Sequence, residues 1–154
     1  MRSALEIFVD GACSGNPGEA GIGVVINHEG KTVKEVSKAI GEATNNIAEY
    51  SALVYALQEA VVMRARELKV FTDSELMFRQ VTGAYKIKNE KLKFLFDQVQ
   101  LLRKGFDRVD MAHIPREKNK QADKLATQAI KAKQAKMVAP LFENIGEESP
   151  SSGG

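Results

Sequence analysis

The chain has no tryptophan, one cysteine and two histidines among its 154 residues. A single cysteine, Cys13, excludes an internal disulfide and a cysteine-rich zinc site. No apolar run approaches the roughly 18 residues that a membrane-spanning helix needs. The first residues lead almost directly into a strand, without the pattern of a signal peptide. These absences predict a cytoplasmic protein without a membrane partner, and we expect a monomer.

The bulk composition is that of one ordinary globular domain, with 44% hydrophobic and 27% charged residues. The net charge of +2 conceals an asymmetry, because residues 137–154 contain three glutamates and no lysine or arginine. Without periodic apolar positions, this stretch is predicted to be a largely disordered tail behind a folded domain of residues 1–136. Basic residues are concentrated over positions 85–124, which suits a polyanionic ligand but also suits a solvated helix face.

The hydrophobic pattern changes its period along the chain and predicts an α/β fold. Three apolar strands separated by turns occupy about residues 5–39, and the period becomes helical from Thr44. A strand follows at 68–71, then helices at 74–83 and 91–103, a strand at 108–113 and a last helix at 119–133. This order predicts a mixed five-stranded sheet with helices on both faces.

Four acidic residues stand at the boundaries of these predicted elements: Asp10, Glu49, Asp73 and Asp123. Asp10 and Asp73 each end an apolar strand, whereas Glu49 and Asp123 lie on helices. Carboxylates at strand ends and helix starts converge on one edge of an α/β sheet. Four crowded carboxylates need cations between them, and oxygen ligands favour Mg²⁺ or Mn²⁺. Two such ions are a common device for phosphodiester cleavage.

The acids lie within four blocks of sequence: DGACSGNPG at 10–18, TNNIAE at 44–49, TDS at 72–74 and HIPREKNKQAD at 113–123. Each block alone is a modest signal, whereas four blocks in this order, each with its acid, are specific. Together they resemble type 1 ribonuclease H, over about residues 4–133. The resemblance implies a ribonuclease H-like fold and an endonuclease that hydrolyses the RNA strand of RNA–DNA hybrids. It also implies two divalent metal ions and products with 5′-phosphate and 3′-hydroxyl ends.

The resemblance implies a role for each acid and for one histidine. Asp10 is expected to bridge the two ions, Glu49 and Asp73 to complete the site of one ion, and Asp123 to hold the other. His113 matches a histidine that lies on a flexible loop in many relatives and assists proton transfer or product release. A passive loop histidine is the alternative.

A further set of residues is predicted to contact the substrate. Amide groups donate and accept hydrogen bonds, so asparagines suit the 2′-hydroxyls that distinguish RNA from DNA. Turn chemistry and helix capping are the alternative for Thr44 and Asn45, and capping is the alternative for Asn119. Cys13 has no basic neighbours, so we expect it to lie beside substrate or to pack against other residues without a functional role, and not to act as a nucleophile. The predicted set is Gly11, Cys13, Ser14, Gly15, Asn16, Thr44, Asn45, Asn46, Glu75 and Asn119.

The chain departs from the family pattern in two places. Many members carry a basic protrusion after the helix that follows the third acid, but here residues 83–90 are too few for it. We therefore expect weaker hybrid binding with a reduced salt dependence. Glu75 stands where several relatives have glutamine, and it can accept from a 2′-hydroxyl or add negative charge near the metals. The rival interpretations are a nuclease of the same fold that acts on DNA and a noncatalytic hybrid-binding module.

Overall fold

The structure, a computed structural model, describes residues 3–83 and 86–153, with side chains as far as residue 138. Its strands and helices follow one another in the order that the sequence predicts. A short 3-10 helix, Arg116–Lys118, precedes the last α-helix. The bounds are β1 Ala4–Gly15, β2 Gly18–His28, β3 Lys31–Ala43, α1 Asn45–Val62, β4 Glu67–Thr72, α2 Glu75–Val81, α3 Glu90–Arg103, β5 Arg108–His113 and α4 Lys120–Gly153.

The strands form one mixed sheet in the order β3-β2-β1-β4-β5, which confirms the predicted five-stranded sheet. β1 pairs antiparallel with β2, and β2 with β3, whereas β4 runs parallel to β1 and β5 parallel to β4. β1 is the central strand, and its alternate residues Ile7 and Val9 are fully buried. The carboxyl ends of β1 and β4 therefore lie side by side, with Val9 opposite Thr72 in the register.

Helices cover both faces of the sheet, as predicted. α1 packs against β1 and β2 and also against α3, whereas α4 packs against β1, β2 and β3. Glycines permit both contacts, because a Cβ on Gly11 would overlap the backbone of Ala48 in α1, and one on Gly23 the backbone of Ala122 in α4. Gly23 pairs with Asp10, and adjacent residues of a strand point to opposite faces, so α1 and α4 lie on opposite sides of β1.

The last helix is longer than its apolar periodicity predicts. Its backbone is helical from Lys120 to Gly153, beyond the predicted end near Lys133. Residues 131–138 are rich in alanine, lysine and glutamine, so helix propensity continues the element past Ile130, its last buried side chain among those described. The division into a domain of residues 1–136 and a tail of residues 137–154 stays a prediction. In the described part of the chain, no helix is long and apolar enough to cross a bilayer.

Candidate active site

Three carboxylates, those of Asp10, Glu49 and Asp73, meet at the carboxyl ends of β1 and β4. Asp73 directly follows Thr72, the last residue of β4, which pairs with Val9, so the parallel register brings Asp73 beside Asp10. Glu49 reaches the same point from α1, because the glycine at position 11 lets the helix backbone approach β1. One carboxylate oxygen of each residue lies within 4.8 Å of the other two.

The fourth acid, Asp123, lies in the first turn of α4 and faces the same cavity. This acid cavity has a volume of about 470 Å³, and all four carboxylate residues line it. Asp123 is close enough to raise the pKa of Asp10 through a hydrogen bond and through its charge. The structure thus brings together the four acids that the sequence places at element boundaries, while their individual roles stay predictions.

Burial and mutual repulsion raise the pKa of two of these carboxyls, those of Asp10 and Glu49. Asp10 is 4% exposed, and its burial raises the pKa of its carboxyl to about 7, with the charge of Asp73 adding to the rise and a hydrogen bond with Glu49 opposing it. Burial and the neighbouring charge of Asp10 raise the pKa of Glu49 well above its ordinary value. Like charges in a small, dry space favour protonation until an opposite charge is supplied.

The donor set of the cluster fits a hard divalent cation. Its clustered ligand atoms are carboxylate oxygens, the type that Mg²⁺ and Mn²⁺ prefer. In the described part of the chain, Oε2 of Glu49 is buried without a hydrogen-bond partner. A buried carboxylate oxygen without a donor has lone pairs available for a cation. The cluster of Asp10, Glu49 and Asp73 is therefore suited to bind a metal ion.

Among the described residues that line the acid cavity, Arg116 is the one cation. It lies in the 3-10 helix between β5 and α4, and its side chain is exposed. Arg116 lies in the same sequence block as Asp123, which predicts a cation beside the fourth acid that binds a phosphate or offsets the negative charge of the acids. It is positioned to interact with an anion that enters the cavity.

Most of the predicted substrate residues line two adjoining cavities. Gly11 and Cys13 line the acid cavity, together with Asn45 and Asn46. A larger groove of about 1030 Å³ shares those two asparagines, and its lining includes Asn16, Thr44 and the start of α3. We call it the asparagine groove, and its position beside the acids is suited to an extended ligand.

Hydrogen bonds hold one wall of the asparagine groove in place. Oδ1 of Asn16 accepts from the backbone N–H of Asn45 at 3.1 Å, which joins the β1–β2 turn to the start of α1. Oγ1 of Thr44 accepts from the N–H of Ile47 at 3.2 Å, so Thr44 is the N-cap of α1. The capping interpretation of Thr44 is therefore confirmed, and the next residue but one, Asn46, is exposed and lines the groove.

Four predicted substrate residues line neither cavity: Ser14, Gly15, Glu75 and the buried Asn119. Oγ of Ser14 donates to the backbone oxygen of Glu19 at 3.4 Å, and Gly15 has a positive φ of 107° in the turn. The carboxylate of Glu75 pairs with Arg79 of the same helix, at 3.0 Å between Nε and Oε1. The side chain of Glu75 is 61% exposed and this surface ion pair is weak, so the substrate contact of Glu75 stays a prediction.

Cys13 is a thiol and not a thiolate. Burial, with the charge of Glu49 as a smaller cause, raises the pKa of Cys13 above its ordinary value. Its Sγ donates to the backbone oxygen of Ala43 at 3.3 Å. A protonated, hydrogen-bonded thiol is a poor nucleophile, in agreement with the sequence-based expectation.

His113 is the last residue of β5, directly before the segment that leads to the 3-10 helix. It pairs with Thr72 in the register of β4 and β5, and the following N–H, of Ile114, donates to the oxygen of Thr72 at 2.9 Å. The exposed imidazole stacks on Phe78 of α2, with ring centroids 6.0 Å apart and planes 30° from parallel. The predicted strand at 108–113 is confirmed with His113 as its last residue, and the catalytic role of His113 stays a prediction.

Asn119 is buried, with only 1% of its surface exposed. Its Nδ2 donates to the backbone oxygen of Val9 at 2.9 Å and to Oδ2 of Asp73 at 3.1 Å. The side chain therefore neither caps α4 nor lies on a surface that substrate reaches. The predicted contact with substrate is replaced by a contact with one of the acids.

Comparisons with known proteins agree with this geometry. The sequence matches the reverse transcriptase-like family over residues 8–129. A bifunctional protein of Mycobacterium tuberculosis is 41% identical over 158 residues, covering 100% of this chain and 43% of that protein. Ribonuclease HI of Halobacterium salinarum is 39% identical over 127 residues, covering 82% of this chain and 64% of that protein. The chain thus spans less than two thirds of each of these relatives.

Solved structures identify the fold. The crystal structure of RNase H1 from Halobacterium salinarum is 37% identical, with a TM-score of 0.83 over 84% of this chain and 99% of that one. The chain belongs to the ribonuclease H family. A second ribonuclease H structure, that of LC11-RNase H1 from compost in complex with an RNA/DNA hybrid, is 43% identical. Its TM-score is 0.81, over 84% of this chain and 99% of that one.

This ribonuclease H domain has a short connection where a basic protrusion is predicted to be absent. α2 ends at Val81 and α3 begins at Glu90, so only residues 82–89 separate the two helices. Ala84 and Tyr85 of this connection lie outside the described residues. Such a short connection agrees with the expected absence of a basic protrusion, and the weaker hybrid binding stays a prediction.

Proposed function

We propose that the chain is a ribonuclease H that hydrolyses the RNA strand of RNA–DNA hybrids with Mg²⁺ or Mn²⁺. The observation that carries this proposal is a single cavity lined by Asp10, Glu49, Asp73 and Asp123, adjoining a groove lined by asparagines. The likeness to LC11-RNase H1, whose structure contains an RNA/DNA hybrid, supports the same class of substrate.

The four acids are proposed to hold two divalent cations. Asp10 interacts electrostatically with each of the other three acids, which suits a ligand shared between two ions. Glu49 and Asp73 would complete the site of one ion, and Asp123 would hold the other. When bound, the cations supply positive charge that lowers the pKa of the attacking water and stabilises the leaving 3′ oxygen. The expected products carry 5′-phosphate and 3′-hydroxyl ends.

Residues of the scaffold orient these acids before substrate arrives. The backbone N–H of Gly11 donates to Oδ1 of Asp10 at 3.0 Å and restrains its carboxylate. Asp10 lies on the central strand and Glu49 on a helix packed against it, so both ligands project from rigid elements. His113 is proposed to accept and return a proton during product release, with its ring oriented by Phe78.

The asparagine groove is proposed to bind the hybrid and to recognise its RNA strand. Exposed amides such as that of Asn46 donate and accept, which suits 2′-hydroxyls and base edges of the minor groove. Lys91, at the start of α3 on the opposite wall, supplies positive charge to a backbone phosphate. Duplex DNA lacks the 2′-hydroxyls, so the groove favours a hybrid over DNA of the same sequence.

The test is cleavage of a labelled RNA–DNA hybrid in Mg²⁺ and in Mn²⁺, beside duplex DNA and duplex RNA of the same sequence. Asp10→Asn is the matched control, because it keeps the size of the side chain and removes its charge. We expect the parent to cut the RNA strand of the hybrid and the variant to be inactive.

Each rival interpretation predicts a different result in this assay. Equal cleavage of duplex DNA would favour a nuclease of the same fold that acts on DNA. Tight hybrid binding without turnover in either metal would favour a noncatalytic binding module. The cytoplasmic location and the monomeric state also stay predictions.

A further inference from the structure

Asn119 contacts the acid cluster from inside the protein. Both of its described side-chain hydrogen bonds come from Nδ2, one to the backbone oxygen of Val9 and one to Oδ2 of Asp73. A neutral amide nitrogen has two N–H donors, so each bond uses one of them. The orientation of the amide is unambiguous, since the reversed amide would place its oxygen against a carbonyl and a carboxylate.

The same residue also contacts the segment that carries the fourth acid. The backbone oxygen of Asn119 accepts from the N–H of Asp123 at 3.1 Å, in the first turn of α4. Val9, the acceptor of the other side-chain bond, directly precedes Asp10 on β1. Asn119 therefore connects β1, the end of β4 and the start of α4, the three segments that hold Asp10, Asp73 and Asp123.

Packing alone does not account for this asparagine. It is 1% exposed, and among the described residues its Oδ1 is buried without a hydrogen-bond partner. A buried polar atom without a partner destabilises the fold, and an apolar residue of similar size would avoid that cost. The amide group of Asn119 restrains Asp73 by a hydrogen bond, and Asp73 receives no other side-chain hydrogen bond from the described residues.

We infer that Asn119 is a positioning residue, which holds the carboxylate of Asp73 against β1 in the orientation that binds metal. The inference rests on the proposed function only in assigning metal binding to the cluster. Asn119 acts through Asp73 and does not touch the substrate. Partners of metal ligands typically change metal affinity or activity by about 10- to 100-fold when they are removed.

The test measures Mn²⁺ binding to the metal-free protein by calorimetry, without nucleic acid, and then hybrid cleavage. Asn119→Ala is expected to bind Mn²⁺ about tenfold or more weakly than the parent. Its kcat should fall, the KM for hybrid should be unchanged, and a higher concentration of Mg²⁺ should restore part of the rate. If Asn119→Ala does not fold, Asn119→Ser, which keeps a polar atom in the buried site, is measured with the same expectation.

The matched control is Gln80→Ala. Gln80 is also a buried amide, 6% exposed, and its oxygen accepts from the hydroxyl of Tyr50 at 2.7 Å, outside the acid cavity. Both Gln80→Ala and Asn119→Ala are expected to lower the temperature of unfolding, but the Mn²⁺ affinity of Gln80→Ala should stay within about twofold of the parent's.

Three results would overturn the inference: equal Mn²⁺ affinity in the two variants, a raised KM for hybrid with unchanged Mn²⁺ affinity, or no Mn²⁺ binding by the parent. A parent that binds Mn²⁺ but does not cut hybrid would refute the proposed function alone. In that case the two variants would still decide the role of Asn119.

Discussion

Acidic residues are clustered in a cavity at the carboxyl ends of the parallel strands, whereas at the amino ends they form exposed ion pairs. At the carboxyl ends, four acids line one cavity, Asp10 is buried, and Arg116 is the one cation among the described lining residues. At the amino ends, Arg66 pairs with Asp107 and Arg108 pairs with Asp110, each with 2.7 Å between nitrogen and oxygen. All four of these paired side chains are about half exposed or more.

The comparison distinguishes exposed acids that pair with an arginine of the protein from buried acids whose charge requires a proton or a bound cation. An exposed carboxylate with its own arginine is solvated and nearly neutralised in place. A buried carboxylate among other carboxylates carries an unfavourable free energy that protons or cations must relieve. The same contrast predicts which substitutions affect function and which affect nothing.

The largest effect is expected from Asp10→Asn, which removes the central charge of the acid cavity. Cleavage of hybrid should fall to background because the remaining acids lose their shared neighbour, while the fold persists in circular dichroism. Asp107→Asn at the opposite end is the matched control and should keep the parent's rate. Substantial cleavage by Asp10→Asn would contradict a functional difference between the two ends, since the charge of the buried acid would then not be needed for catalysis.

The next effect is expected from Arg116→Ala, since a cation beside four acids is suited to hold a substrate phosphate. Loss of one charge-assisted hydrogen bond corresponds to roughly a tenfold or larger decrease in kcat/KM. Arg108→Ala, which removes an arginine from the amino end, should leave kcat/KM within about twofold. Equal effects of the two substitutions would show that general positive charge, not the position of Arg116, matters.

The pH dependence of stability should reveal the proton on Asp10. In the unfolded chain this carboxyl titrates near its ordinary pKa of 3.8, whereas burial raises its pKa in the folded protein to about 7. Between these values the unfolded state has released a proton that the folded state retains. The contribution of Asp10 to the free energy of unfolding therefore falls as pH rises from about 4 to 7, and is constant above that.

The magnitude is at most about 4 kcal/mol from the size of the shift, and we expect on the order of 2 kcal/mol because Asp10 and Glu49 titrate together. The measurement is urea unfolding in chelator at pH 5 and pH 8, for the parent and for Asp10→Asn. The parent should lose more stability than the variant over this interval. Identical losses in both proteins would contradict a protonated, buried Asp10.

The fold and the four acids followed from the sequence because each depends on local patterns. Alternating and helical periods marked the elements, and Asp10 and Asp73 ended apolar strands that proved to be neighbours. The link from Asn119 to Asp73 joins residues far apart in sequence, and no local pattern marks it. The ion pair of Glu75 with Arg79 has the i,i+4 spacing of a helix and could be predicted from the sequence. The family resemblance predicts a substrate contact for Glu75 and does not predict this pair.

The smallest effect is expected from the Arg108–Asp110 pair at the amino ends. The two residues lie two apart on β5, so their side chains share one face of the sheet, and both are largely solvated. A double-mutant cycle with Arg108→Ala and Asp110→Ala should give a coupling of about 0.5 kcal/mol or less, which decreases further in high salt. Mn²⁺ affinity and hybrid cleavage should not change in any member of the cycle. A coupling of several kcal/mol would show that this exposed pair is not weak, and a loss of Mn²⁺ binding would show that charge at the amino ends contributes to the acid cavity at the carboxyl ends.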